Sequence, residues 1–226
     1  METDKEFLKS YPDGLDWNIK IPKRPLYCLF DDSAARFPEQ PCIDFLGKVL
    51  TYSEVSSLVD RATAGFQKLG VVKGMKVGLL LPNCPQFVIS YYAILKAGGT
   101  VVNYSPLCSE RELLHQVEDS ETDIIVTLNF RAICQKAQTM LTRSRIRVMI
   151  VGDMAEFLPT IKKWFFPLVK FRDIEQVKDD ASHIFFGELI NNEGKYKPVK
   201  IDPSCDVAAL QYTGGTTGIP KGAILT

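Results

Sequence analysis

The stretch VGLLLPNCPQFVISYYAILKAGGTVVN, residues 77–103, decides the fold. No charge occurs from Val77 to Leu95, and the run is long enough to cross a bilayer. Pro82-Asn83-Cys84-Pro85-Gln86 breaks it, however, with polar backbone and side chains that hydrocarbon could not satisfy. The stretch therefore reads as three short pieces: a buried strand at Val77–Leu81, a helix at Gln86–Lys96 stopped by Gly98-Gly99, and a second strand at Thr100–Asn103. Strands that are apolar throughout, without alternation, belong to a parallel sheet covered on both faces. The stretch is thus a βαβ unit.

The same rhythm extends in both directions. Upstream, Thr51 and Glu54 have capping-box spacing, and Val55, Leu58, Val59, Ala62, Phe66 and Leu69 recur at helical intervals until Gly70. Downstream, Ser109 with Glu112 repeats the cap ahead of Leu113, Leu114 and Val117. A strand at Asp123–Leu128, a helix at Phe130–Leu141 and a strand at Arg147–Val151 follow. Strands alternating with helices at this spacing predict an α/β fold, a parallel, doubly wound sheet flanked by helices with right-handed crossovers. The charged segment Arg172–Asp180 reads as a solvated connection, and Glu193–Asp202, with Gly194 and Pro198, as a loop. No solenoid repeat and no low-complexity tract appears.

Composition fits a globular enzyme part. Of 226 residues, 46% are hydrophobic and 24% charged, with Lys plus Arg equal to Asp plus Glu at 27 each. No dense basic tract is present, so nucleic acid is not an expected partner. The six cysteines, Cys28, Cys42, Cys84, Cys108, Cys134 and Cys205, are scattered without a Cys-x-x-Cys, which argues against a zinc site or a disulfide scaffold and for reduced cytosolic thiols. Residues 1–9 mix acids and lysines without an apolar core, so no secretion signal is read and a cytoplasmic location is expected.

The chemistry is concentrated near the end, in Tyr212-Thr213-Gly214-Gly215-Thr216-Thr217-Gly218-Ile219-Pro220-Lys221-Gly222. Glycines at 214, 215, 218 and 222 allow positive φ and let backbone N–H groups approach an anion. Thr216 and Thr217 add hydroxyl donors, and Lys221 adds a mobile point charge. A polyphosphate is the natural guest. The spacing is not that of a P-loop, because Ile219 stands where that pattern needs its second glycine. Apolar Ala208-Ala209-Leu210 before the run and Ala223-Ile224-Leu225 after it predict strand, glycine-rich turn, strand. The glycines and threonines alone would also suit an unliganded hairpin; Lys221-Gly222 favours the phosphate cradle.

At these residues the chain resembles the adenylate-forming enzymes, the superfamily of acyl-CoA synthetases, luciferases and peptide-synthetase adenylation domains. Their signature, Tyr/Phe-Thr-Ser/Gly-Gly-Thr-Thr-Gly-x-Pro-Lys-Gly, is matched at every position from Tyr212 to Gly222. Glycine at 214, in place of a common serine, is similar to the long-chain fatty-acid CoA ligases. It also removes a hydroxyl donor, so a phosphate contact made by that serine cannot be carried over. Leu50–Glu54, Leu69–Leu79, Leu81-Pro82-Asn83 and Ala97–Asn103 extend the resemblance upstream.

The resemblance implies the N-terminal portion of such an enzyme's large domain, with an N-terminal helix, hairpin and helix over 1–70, a βαβ subdomain over 71–206, and the strand and phosphate loop over 207–226. It implies ATP, Mg²⁺ and coenzyme A as cofactor and co-substrates, and a fatty acid as substrate. Thr213, Gly214, Gly215, Thr216, Thr217, Gly218, Lys221 and Gly222 would bind the ATP phosphates. The family's catalytic, ribose-binding and metal-associated residues follow this loop, so none maps onto residues 1–226, and the chain alone is expected to have little or no turnover. Two alternatives stay open: a non-catalytic nucleotide-binding or interaction module, and an acyl-AMP ligase serving another acid or a carrier protein.

Two other regions bear on function. Phe157, Ile161, Trp164, Phe165, Leu168 and Phe171 lie among Lys162, Lys163, Lys170 and Arg172, a pattern that suits either core packing or peripheral membrane contact over 157–172. His115 and His183 each read as isolated side chains with surface or packing roles.

Overall fold

The computed structural model describes residues 12, 19–159, 162, 171–178, 180–213 and 220–226. Helix α1 (Tyr27–Arg36) precedes an antiparallel hairpin, β1 (Pro41–Phe45) and β2 (Lys48–Thr51). Leu46 and Gly47 both take positive φ in its two-residue turn, the backbone that matches the twist of paired strands.

Helix α2 (Tyr52–Lys68) starts where the cap predicts. The Thr51 side chain accepts from Glu54 N–H at 3.2 Å, and Glu54 accepts from Thr51 N–H at 2.8 Å. Val55, Val59, Ala62 and Phe66 form its buried face, and Gly70 leaves the helix with φ of 87°.

The expected βαβ unit follows as β3 (Lys76–Leu79), α3 (Pro85–Lys96) and β4 (Thr100–Asn103). The uncharged run from Val77 is therefore a strand, a loop and a helix, and no described helix is long and apolar enough to cross a membrane. Helix α4 (Glu110–Ser120) is capped by Ser109 and Glu112 as predicted. Then come β5 (Ile124–Leu128), α5 (Arg131–Arg143), β6 (Val148–Gly152), a short 3₁₀ turn at Phe171–Asp173, β7 (His183–Phe185), α6 (Phe186–Leu189), β8 (Ala209–Thr213) and β9 (Lys221–Leu225).

Seven strands form one sheet in the order β7-β6-β5-β3-β4-β8-β9. All neighbours are parallel except β8 and β9. The chain leaves β3 toward β4, then crosses to β5 on the other side, so the winding reverses beside β3. Such a reversal opens a crevice at the carboxyl ends of the strands, where open α/β sheets bind ligands.

Alternation along each strand divides the core in two. Val77, Leu79, Val101, Ile124 and Val126 pack with Phe66, Ile89, Ala93 and Phe186 on one face. Leu80, Val102, Ile125 and Met149 pack with Leu113, Val117, Ala137 and Met140 on the other. Each such side chain contributes about 1.5–3 kcal/mol on burial, which is why the strands are apolar throughout.

Three features depart from the sequence expectation. His183–Leu189, to which the sequence assigned no element, forms β7 and α6 and completes the sheet edge and its cover. The sheet is not wholly parallel, because β9 turns back along β8. His183 is neither isolated nor on the surface. Its Nδ1 lies 2.7 Å from Asp180 Oδ1 and its Nε2 lies 2.9 Å from Gln138 Oε1, binding the start of β7 to α5. Hydrogen bonds from Ser182, then from His183, hold the Asp180 carboxyl well below the usual range.

Lys96 is a further surprise within the apolar helix α3. Its side chain is only 5% exposed and meets Asp31 at 2.8 Å and Asp60 at 2.9 Å. One ammonium thus joins three helices.

Candidate phosphate-binding hairpin

The candidate site is built on β8 and β9. Strand β8 pairs in parallel with β4, aligning Val101 with Ala209, Val102 with Leu210 and Asn103 with Gln211. Asn103 Nδ2 donates to Gln211 Oε1 at 3.0 Å, and Thr100 Oγ1 donates to the Val207 carbonyl at 2.8 Å just before the strand. These contacts set the direction of β8, whose last residue, Thr213, emerges at the carboxyl edge of the sheet.

The chain returns as β9 with Tyr212 opposite Gly222 and Thr213 opposite Lys221. The two strands expected on either side of the glycine-rich run are therefore present, paired antiparallel. Gly214, Gly215, Thr216, Thr217, Gly218 and Ile219 lie outside the described residues. Of the residues assigned to phosphate, Thr213, Lys221 and Gly222 are described, and all three sit in the hairpin stem. Thr213 and Lys221 are a cross-strand pair, so their side chains share one face of the ribbon. Both are exposed at the loop mouth, where a hydroxyl and a cation could meet one anion.

Gly222 has a different role from the one its sequence suggests. It does not have positive φ, and it lies within regular β9. A Cβ at this position would stand 3.2 Å from Cζ of Tyr212, tighter than ordinary contact. Glycine is needed there because the tyrosine ring lies across it. Space, not backbone freedom, explains this residue.

The other side of that ring faces α4. Tyr212 lies near-parallel to Tyr104, with ring centroids 6.5 Å apart and an interplanar angle of 23°. The Tyr212 hydroxyl is 2.6 Å from Asp119 Oδ2 and 3.2 Å from the Gln116 carbonyl. Desolvation, then the Asp119 carboxylate, push this phenol well above the usual tyrosine range, so it stays a donor. Tyr104 is buried and its hydroxyl meets Thr122 Oγ1 at 2.6 Å and Ser120 Oγ at 2.9 Å. Burial pushes it up to about 12. Sequence reading did not identify Tyr104, Gln116 or Asp119. No local pattern links Asp119 to Tyr212, which is 93 positions away.

Among the described residues no group of three or more His, Cys, Asp or Glu side chains converges to hold a metal ion. The described cysteines are free thiols, and burial pushes Cys84 and Cys134 up to about 11. In the stretch considered for membrane contact, Phe157 is buried in the core and Lys162 Nζ donates to the Leu46 carbonyl at 2.7 Å. Ile161, Trp164, Phe165, Leu168, Lys163 and Lys170 lie outside the described residues.

A cavity of about 820 Å³ is lined by residues away from the hairpin mouth. It lies at the opposite, amino edge of the sheet, between Leu26, Lys76, Thr100, Ala208, Ile201 and Ile224. Thr213 and Lys221, by contrast, stand at the carboxyl edge.

The chain is similar to known proteins over nearly its whole length. The family model described as AMP-binding enzyme matches residues 30–226. A long-chain-fatty-acid–CoA ligase of Bacillus subtilis is 38% identical over 229 residues, covering 100% of this chain and 40% of that protein. A long-chain-fatty-acid–CoA ligase of Yersinia pestis is 34% identical, covering 99% of this chain and 40% of the relative. 4-Coumarate–CoA ligase 1 of Arabidopsis thaliana is 32% identical, covering 99% and 36%. Among solved structures, a long-chain-fatty-acid-CoA ligase from Archaeoglobus fulgidus superposes with a TM-score of 0.70 at 24% identity, over 92% of this chain and 38% of that one. Mycobacterium smegmatis MbtA gives a TM-score of 0.70 at 26% identity, over 90% and 34%. The chain thus spans about 40% of the length of the ligases it resembles.

Proposed function

Because this chain belongs to the AMP-binding enzyme family, we propose that it is the N-terminal portion of a long-chain fatty-acid–CoA ligase and supplies that enzyme's phosphate-binding hairpin. The observation that carries this reading is the pairing of Thr213 with Lys221 at the carboxyl edge of the sheet, on either side of a turn rich in glycine and threonine.

A carboxylate is a poor electrophile at neutral pH. Attack of the fatty-acid carboxylate on the α-phosphorus of ATP forms an acyl–adenylate and releases pyrophosphate. The thiol of coenzyme A then attacks the acyl carbon, forming the thioester and releasing AMP. The role assigned to this chain is in the first step. Lys221 and the hydroxyls of Thr213, Thr216 and Thr217, with backbone N–H groups of the turn, hold the β- and γ-phosphates and stabilise charge as pyrophosphate departs. The hairpin positions and neutralises; it forms no covalent bond to substrate. Mg²⁺, which no described carboxylate cluster is built to hold, would come bound to the nucleotide's own phosphates and screen their charge. We place residues 1–70, 71–206 and 207–226 as the helix–hairpin–helix entry, the βαβ scaffold and the phosphate hairpin of this portion.

The test is acid-dependent ATP–pyrophosphate exchange in protein extended to the length of the ligases. Lys221→Ala is expected to lower exchange by several-fold to about a thousandfold, the range for losing a positioned charge. Unchanged exchange would remove Lys221 from the reaction. The similarity to a 4-coumarate ligase favours an aromatic acid as the second reading. Comparing palmitate with 4-coumarate in the same assay separates the two. The 226-residue chain assayed alone is expected to show little or no exchange.

A further inference from the structure

We propose that Tyr212 is a positioning residue for the phosphate loop: through its hydroxyl on Asp119 it ties the base of the β8–β9 hairpin to helix α4. The proposal rests on the phosphate reading of the turn and adds a residue to it.

Three observations converge on the tyrosine. Its ring has a prepared seat, since Gly222 across the ladder leaves room that a Cβ would fill at 3.2 Å. It has a partner on its outer side, the near-parallel ring of Tyr104, itself fixed by Ser120 and Thr122. Its hydroxyl ends on the last turns of α4, at Asp119 Oδ2 and the Gln116 carbonyl. A phenol has one proton to donate, and the carboxylate at 2.6 Å is the stronger acceptor.

The location gives the contact its consequence. Among the described residues strand β9 pairs only with β8, so within them the hairpin is steadied through β8 and its contacts. Thr213 and Lys221 are the next pair toward the turn after Tyr212 and Gly222. A hinge at Tyr212 would therefore move both ends of the loop. A phenylalanine at this position would keep the ring seat and lose the tie to α4. Asp119 is in the final turn of α4, where a negative charge opposes the helix dipole, so removing it should on helix grounds alone be neutral or slightly stabilising. Loosening of the hairpin in an Asp119 variant would thus run against the local expectation.

The experiment is amide hydrogen exchange on the 226-residue chain and on Tyr212→Phe, Asp119→Ala and the double variant. Titration with Mg·ATP of the same variants, in protein extended to the length of the ligases, accompanies it. The single variants are expected to speed exchange of β8 and β9 amides by about tenfold, the scale of losing a hydrogen bond to a charged group. Amides of β3 and β5 should be unchanged. The double variant should exchange no faster than either single one, because both remove the same contact. Weakening of Mg·ATP binding by about fivefold or more in both single variants, with an unchanged melting temperature, would support the positioning role. Hairpin exchange within twofold of wild type, or additive effects in the double variant, would overturn the tie. Unaltered Mg·ATP affinity in Tyr212→Phe, where the wild type binds, would overturn its role in positioning the loop. An extended wild-type protein that does not bind Mg·ATP would count against the phosphate reading itself, and the exchange data on the 226-residue chain would still decide the tie.

Discussion

Replacing Lys96 by methionine keeps most of the side-chain volume in α3 and removes the ammonium that α1 and α2 share. Asp31 and Asp60 would then face each other without a counter-charge. Losing one partner of a buried ion pair costs about 3–5 kcal/mol. Here the lysine is 5% exposed but its carboxylates are 37% and 36% exposed, so water recovers part of the loss. A net cost of about 2 kcal/mol is expected, which for a chain of this size lowers the melting temperature by about 4–8 °C. Asp31 at 2.8 Å and Asp60 at 2.9 Å both hold the ammonium in its charged form. Burial is the largest single influence on the Lys96 ammonium and lowers its pKa, but the two carboxylates together outweigh it and leave the group raised above 10.5. A raised folded pKa gives stability that is complete below the unfolded value and is lost as pH rises through the folded one. The gap between wild type and Lys96→Met should then be constant from pH 6 to 9 and shrink above about pH 10.4. Urea unfolding followed by circular dichroism measures it. A Lys96→Met chain within about 0.5 kcal/mol of wild type at pH 7, less than any loss of a buried partner, would refute the reasoning. Recovery of stability in the triple variant with Asp31→Asn and Asp60→Asn would confirm that the stranded carboxylates, not lost packing, carry the cost.

Other expectations are narrower. Gly222→Ala puts a Cβ 3.2 Å from the Tyr212 ring and should cost about 1 kcal/mol or more as the ring is displaced. Restoring room with Tyr212→Leu in the same chain should offset the loss if space is the cause and leave it in place if positive φ is. Ser109→Ala removes the side-chain acceptor for Glu112 N–H at 3.3 Å and should cost about 1 kcal/mol in urea unfolding, with faster amide exchange in the first turn of α4. Tyr104→Phe takes one partner from the hydroxyls of Ser120 and Thr122, which keep each other and the Gln116 carbonyl, and should cost about 1 kcal/mol; an unchanged melting curve would mean that those remaining contacts suffice.

The reading from sequence succeeded where structure is set by near neighbours. Thr51 with Glu54 and Ser109 with Glu112 act over three residues, and a cap works whatever the rest of the chain does. The apolar strands at Val77, Val101 and Ile124 announced a sheet covered on both faces because no solvated strand tolerates such runs. It failed at β7 and α6. His183–Leu189 is too short to show a period, and its burial depends on β6 and α2 being in place. His183 shows the same limit, since its Nε2 partner, Gln138, is 45 positions away.

The sequence by itself determined the βαβ alternation, the helix starts, the strands on either side of the Gly-Gly-Thr-Thr-Gly run and the presence of Lys221 beside it. Those features follow from side-chain periodicity and hydrogen bonds between near neighbours. Only the tertiary structure decided that Lys221 stands opposite Thr213, that Gly222 makes room for Tyr212, that Asp119 holds that tyrosine, and that Lys96 is a buried cation between two helices. Tyr212 and Asp119 are 93 positions apart and Lys96 and Asp60 are 36 apart, so each contact exists only after the sheet and its covering helices have brought the elements together. Burial then sets their strength, since a charge or hydroxyl removed from water must find its partner within the fold.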